Sequence, residues 1–170
     1  MAEAEFRTTE VSNLCIGASP AKKGKKMPNI TGQFTGKAVE QTSLTLQDIP
    51  EHELVLSQFT GPQTVSDENW KNVRVTYWGT MDLIQGFGPS RGYFVNEHPN
   101  GDRDCGTYDG HVSIANGEVV LEGIWRYTHG SGQFASISGN GRFKGRMTSP
   151  NDVEMSWQGN YQIAAGTRAA

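Results

Sequence analysis

The residue types best suited to chemistry in this sequence are carboxylates, arginines, tyrosines and histidines, spread over alternating apolar segments rather than gathered in one motif. In Glu118–Thr128, alternation puts Val119, Leu121, Gly123, Trp125 and Tyr127 on one face and Val120, Glu122, Ile124, Arg126 and Thr128 on the other. Glu122 and Arg126 are four residues apart, roughly 13 Å along a strand, so each needs a partner on a neighbouring strand rather than the other. A carboxylate base and a guanidinium turned into an apolar interior would bind and polarise a carbonyl or carboxylate. On the other face of the same strand they would form a solvated, salt-bridged outer wall. Period two alone does not label the two faces.

Two further segments carry polar side chains at the same spacing. Arg91, Tyr93, Val95 and Glu97 share a face, and so do Cys105, Thr107, Asp109 and His111. Asn100-Gly101 between them is a hairpin dipeptide, which predicts antiparallel neighbours with Tyr93 near Asp109 and Glu97 near Cys105. Asp109 is then an alternative base, and Tyr93 or Arg91 an alternative electrophilic partner. Histidine is the best acid–base near neutrality. His52 and His129 fall at turns, which leaves His98, before Pro99, and His111 as candidates. Trp78, Trp157 and Tyr161 offer rings that either stack on a planar ligand or fill a core. The candidate catalytic set is therefore Glu122, Arg126, Asp109 and Tyr93. Arg91, Trp78, Glu97, His98, His111, Trp157 and Tyr161 are candidate substrate contacts.

Other chemistries find less support. No HxH or HxxxH spacing and no CxxC pair is present, so no metal site or other cofactor is expected. Asn100–Asp104 lacks the later bidentate glutamate of a calcium loop. The glycines of Gly130–Gly145 do not have phosphate-loop spacing and no helical pattern follows them. Ser131, Ser136 and Ser138 lie outside any nucleophile elbow. With 15 Lys+Arg against 18 Asp+Glu, the charge balance does not favour nucleic acid. No apolar run approaches a membrane span of about 18 residues.

These side chains need strands to position them. Residues 1–28 read as a flexible extension, with Lys22, Lys23, Lys25 and Lys26 as a solvated basic cluster and no secretory leader. Only Cys15 and Cys105 are present, so no disulfide framework is expected and the default location is cytoplasmic. From Asn29 to Ala170 the texture is strand, turn, strand. Apolar alternation marks Lys37–Leu46, His52–Phe59, Val73–Trp78, Arg91–Asn96, Cys105–Ala115 and Glu118–Thr128. Gln133–Ile137, Gly141–Met147 and Val153–Ile163 complete the series, with a second hairpin dipeptide at Asn116-Gly117. Gly is abundant, 21 of 170 residues, and is interleaved with aromatics. No amphipathic helix intervenes. The expected fold is all-β: one antiparallel barrel of about eight strands, lipocalin-like in size, whose interior either fills with side chains or holds one small ligand.

The glycine-spaced run Gly130–Met147 carries a family resemblance. Gly130, Gly132, Phe134, Ile137, Gly139, Gly141, Phe143 and Gly145 match a glycine–aromatic hairpin, with Ser90–Phe94, Glu122–Trp125 and Trp157–Tyr161 around it. This resembles the barrel of allene oxide cyclases, dirigent proteins and their small bacterial relatives, over less than half of the chain. The resemblance implies an eight-stranded barrel and, as in many members, a homo-oligomer. It transfers no named catalytic residue. Two functions follow as expectations: a cofactor-independent isomerase, cyclase or lyase acting on a small apolar molecule inside the barrel, or a barrel that binds or carries such a molecule without chemistry. An ionisable pair on the cavity wall would favour the first, and an apolar cavity without one the second.

Overall fold

Alternating β-branched, aromatic and glycine residues set the strands, and two-residue turns set their register. A computed structural model describes residues 27–164. The expected extension 1–28, with its lysines and Cys15, lies outside the described residues except for Met27 and Pro28. Eight strands follow in order: β1 (Asn29–Leu46), β2 (His52–Val65), β3 (Arg74–Ile84), β4 (Gly88–Glu97), β5 (Arg103–Ala115), β6 (Glu118–Gly130), β7 (Ile137–Ser149) and β8 (Asp152–Ile163). Each pairs antiparallel with the next, and β1 pairs with β8 from Asn29↔Asn160 to Lys37↔Asp152, closing the barrel. No α-helix occurs among the described residues.

Asn116 and Gly117 both have positive φ, 53° and 80°, as a two-residue type I′ hairpin requires. Gln85 and Gly86, at 55° and 80°, make the equivalent turn between β3 and β4. The Asn100-Gly101 turn is tighter than the sequence predicts. Tyr93 faces Thr107 and Arg91 faces Asp109, a register two residues from the expected Tyr93/Asp109 pairing. Likewise Glu97 lies opposite Arg103 rather than Cys105.

Two predicted elements differ in extent. Gln133–Ile137 is not a strand: Gly132–Phe134 forms a 3-10 turn that drives the fully buried Phe134 ring inward, and β7 begins at Ile137. The first strand begins at Asn29 rather than Lys37, because Gly32 and Gly36 continue the inward face of Ile30 and Phe34 instead of breaking it.

That pairing of glycine with ring organises the interior. Three glycine pairs sit side by side across neighbouring strands: Gly79↔Gly92, Gly110↔Gly123 and Gly141↔Gly159. A ring from elsewhere in the wall covers each pair, Tyr108 the first, Phe143 the second and Trp125 the third. A Cβ on Gly141 would lie 2.6 Å from Trp125 Cζ2, so the large ring fits only because its neighbour has no side chain. The barrel thus admits rings whose bulk a Val- or Leu-lined wall of eight strands would exclude.

The two ends are built differently. At one, the 3-10 turn Glu68–Trp70, held by Asp67 accepting from the Asn69 amide (3.0 Å), inserts Trp70 into the barrel. Trp70 packs edge-on to Tyr161 at 4.8 Å between ring centres and against Phe134 at 5.1 Å. Both rings are fully buried and plug this end. At the other end the short hairpins lie, and the distal half of β1, from Glu40 to Leu46, pairs only with β2.

Candidate functional site

The inward parity of the strands is that of most of their glycines and of the strand rings other than Trp78 and Tyr93, which decides where the candidate residues go. On β6 the inward residues are Leu121, Gly123, Trp125 and Tyr127, so Glu122 and Arg126 point outward. Glu122 is exposed and meets Lys144 Nζ at 3.7 Å, and Arg126 Nε donates to Thr107 Oγ1 at 3.1 Å. Asp109 and His111 lie on the outer face of β5, and Arg91, Tyr93 and Glu97 on that of β4. Tyr93 is 67% exposed, beside the outward Trp78 across the β3–β4 pair, and Glu97 meets Arg103 at 3.0 Å. The pairing of a carboxylate and a guanidinium inside the barrel is therefore not formed. All four candidate catalytic side chains face out, because their neighbours in sequence are the rings that fill the interior.

Trp78, Arg91, Tyr93, Asp109 and Arg126 do share one shallow depression, whose lining draws on all eight strands. A surface drawn from every strand of a closed barrel is a belt round its waist, not an enclosed site. Among the described residues, no three His, Cys, Asp or Glu side chains converge as a metal site.

His98, Trp157 and Tyr161 are the candidates that lie inside. His98 belongs to a buried polar network centred on Asp104, which is 0% exposed. Asp104 Oδ2 accepts from His98 Nε2 (2.7 Å) and Trp70 Nε1 (3.0 Å), and its Oδ1 accepts from Asn96 Nδ2 (2.6 Å). Asn96 Oδ1 in turn accepts from Gln63 Nε2 at 3.2 Å. The His98 ring stacks on Phe134 with centres 4.1 Å apart. Three donors satisfy the buried carboxylate, which would otherwise be very costly to desolvate. Tyr161 donates to Asp67 Oδ2 at 2.6 Å, tying β8 to the turn that carries Trp70. Burial, and then this donation, raise its phenol pKa. His98 and Tyr161 therefore build the plugged end of the barrel.

Above this network lies a cavity of about 100 Å³. Gln63 and Asn96 form its polar side, and the rest of its wall is rings and aliphatic groups, among them Phe94, Tyr108, Phe143, Trp125 and Trp157. No carboxylate, histidine, lysine or arginine lines it. Its phenols stay neutral: burial pushes Tyr108 up to about 12, partly offset by the Ser90 hydroxyl, and raises Tyr77 and Tyr127 well above the usual phenol value. Trp125 meets Trp157 edge-on, with ring centres 5.6 Å apart. Its indole N–H is buried and has no acceptor among the described residues.

A second histidine site lies at the hairpin end. His52 Nδ1 is 2.8 Å from Asp48 Oδ1, and Nε2 is 2.7 Å from Asp82 Oδ1. Carboxylates only accept, so both ring nitrogens donate and His52 is an imidazolium. Asp82, then Asp48, raise the His52 pKa, and the hydrogen bond from His52 lowers that of Asp48. The clamp joins the β1–β2 turn to β3.

The network and the cavity went unpredicted except for His98 and Trp157. The signal that finds them is parity with glycine: Asp104 shares alternation with Gly106, Tyr108 and Gly110, and Asn96 with Gly92 and Phe94. No protein-family model matches the chain, and no curated protein is significantly similar to it.

Proposed function

We propose that this barrel binds one small, largely apolar molecule in its interior cavity and does no acid–base chemistry on it. The observation that carries the reading is a space of about 100 Å³ walled by rings, with no ionisable acid–base group on the wall other than phenols held neutral by burial. An isomerase or cyclase working by proton transfer needs such a group within hydrogen-bond reach of its substrate. The carboxylates and guanidinia that would serve are on the outer wall. The glycine–aromatic run Gly130–Met147 resembles that of the allene oxide cyclase and dirigent barrels, which supports the interior as the ligand's place. A likeness of fold supplies no catalytic group.

Size restricts the ligand. An apolar cavity of about 150 Å³ accepts benzene, so the smaller space here suits a molecule smaller than benzene, of about four or five heavy atoms. Native mass spectrometry after mild purification should show a retained mass in that range. Addition of cyclopentane should shift the methyl signals of Val75, Leu121 and Met155, which line the space. Leu121→Phe, which fills it, should abolish both. No retained mass and unmoved methyl signals would overturn the reading.

A further inference from the structure

We propose that the outer wall carries a second binding site, for an acidic saccharide chain, on the belt of side chains from Trp78 to Asn29. Cross-strand pairing sets the belt in order. Trp78 on β3 lies opposite Tyr93 on β4, Tyr93 opposite Thr107, Thr107 opposite Arg126, and Arg126 opposite Asn140. Asn140, Asn160 and Asn29 then stand side by side across β7, β8 and β1. At the usual strand spacing this row is a track of roughly 29 Å, which suits an oligomer rather than a single small ring. Its side chains line the same shallow depression, open to solvent.

Trp78 and Tyr93 supply the apolar part. They are 39% and 67% exposed, whereas the inward rings Trp70 and Trp125 are buried. Adjacent rings left in water on a sheet face mark a contact surface, and the C–H face of a sugar ring is a complement to them. Unpaired charge supplies the acidic part. Arg103 meets Glu97 at 3.0 Å and Arg146 meets Glu118 at 2.8 Å, but Arg91, Arg126 and Arg142, all exposed, meet no carboxylate among the described residues. Arg142 is the diagonal neighbour of Arg126 across β6 and β7, about 7–8 Å away, so one carboxylate can bridge both. The amides decide between saccharide and nucleic acid. Each asparagine offers a donor and an acceptor, as hydroxyls do, whereas a phosphate accepts only and leaves the amide oxygens unmatched. Asp109, across from Arg91, accepts from a hydroxyl and repels a phosphate. Three arginines beside that carboxylate are also few for a chain bound through many phosphate contacts.

Affinity electrophoresis of the intact protein tests the site, in gels cast with polygalacturonate, alginate, hyaluronan, neutral dextran or oligothymidylate. At least one of the three acidic polysaccharides should retard the protein, and dextran and oligothymidylate should not. The double variant Trp78→Ala, Tyr93→Ala should weaken retardation about tenfold. Arg126→Gln with Arg142→Gln should weaken it about fivefold to tenfold. Thermal midpoints check that these exposed substitutions leave the fold intact. If a variant unfolds, the Trp78 indole ¹H–¹⁵N signal of the unmodified protein decides instead: it should move with the retarding polysaccharide while that of buried Trp70 stays put. Retardation by none of the three acidic chains would overturn the proposal, and retardation that survives both double variants would remove the belt as the site. Equal retardation by dextran would overturn the acidic requirement. Retardation by oligothymidylate that the variants abolish would assign the belt to nucleic acid in place of a saccharide.

Discussion

Two histidine–carboxylate sites stand at opposite ends of this barrel, and they differ in what surrounds them. His98 and Asp104 are enclosed by Trp70, Phe134 and Asn96, the carboxylate with no contact to solvent and the imidazole with almost none. His52 has its ring between Asp48 and Asp82, whose carboxylates are more than half exposed. The same pair of groups therefore does different work. In the buried site the carboxylate organises three donors that would otherwise be unpaired, so its removal propagates through a network. At the second site the imidazole is buried but its carboxylate partners are open to water, and solvent screening leaves mainly a dependence on protonation. Similar distances do not imply similar energies.

Substitutions at the two ends should separate these roles. The largest effect is expected from Asp104→Ala, which leaves His98 Nε2, Trp70 Nε1 and an Asn96 amide hydrogen buried without an acceptor. A loss of about 3–5 kcal/mol is expected, read from the denaturant midpoint. Trp70→Phe keeps an aromatic ring but removes one donor to the carboxylate and leaves a small void, so a loss of about 2–4 kcal/mol is expected by the same measurement. Asp104→Asn, which removes the charge without a void, should lose more than Gln63→Leu at the far end of the network; equal losses would show that the network is not organised by its carboxylate.

At the exposed end the effect is in the pH dependence. A raised His52 pKa contributes stability that is fully present below about 6.5 and is lost as pH rises through the raised value. The lowered Asp48 pKa contributes stability that is present above its unfolded value of 3.8 and lost as pH falls through the lowered value. Thermal midpoints should therefore decline as pH rises above about 6.5, and His52→Gln should flatten that decline; an unchanged slope would remove His52 as its source. The smallest effect is expected on the outer wall, where Glu122→Gln should change stability by less than about 0.5 kcal/mol and leave ligand binding intact. A larger change would show that the exposed Lys144 pair carries more than its geometry suggests.

Strand rhythm, the two Asn-Gly turns and the barrel were legible in the sequence, because alternation and turn chemistry are local. The site was legible only in part. The inward face of Glu118–Thr128 was left open, although Gly123 and Trp125 already marked it: a large ring needs a neighbour without a side chain, so glycine and aromatic residues of one parity point inward together. The Asp104 network was not legible by composition, since an aspartate next to Arg103 and Cys105 in a polar hairpin looks solvated. Its burial depends on Trp70 and Phe134 arriving from turns 34 and 30 residues away in sequence. His52 was expected at a turn, yet it is buried, and there the missing information was Asp82, 30 residues on in sequence on the neighbouring strand β3.

The β1–β8 pairing has a consequence for how the chain reaches its fold. Asn29 and Asn160 are partners, so the last seam joins the first and last segments of the described chain. Until Asp152–Ile163 has emerged from the ribosome, β1 to β7 can form only an unclosed sheet, with β1 and β7 both offering unpaired backbone to any passing strand. Such edges invite association between nascent chains. Closure over so long a separation is slow compared with hairpin formation. The hazardous interval in the life of this molecule thus falls late in synthesis, and it ends when one twelve-residue strand docks between β7 and β1.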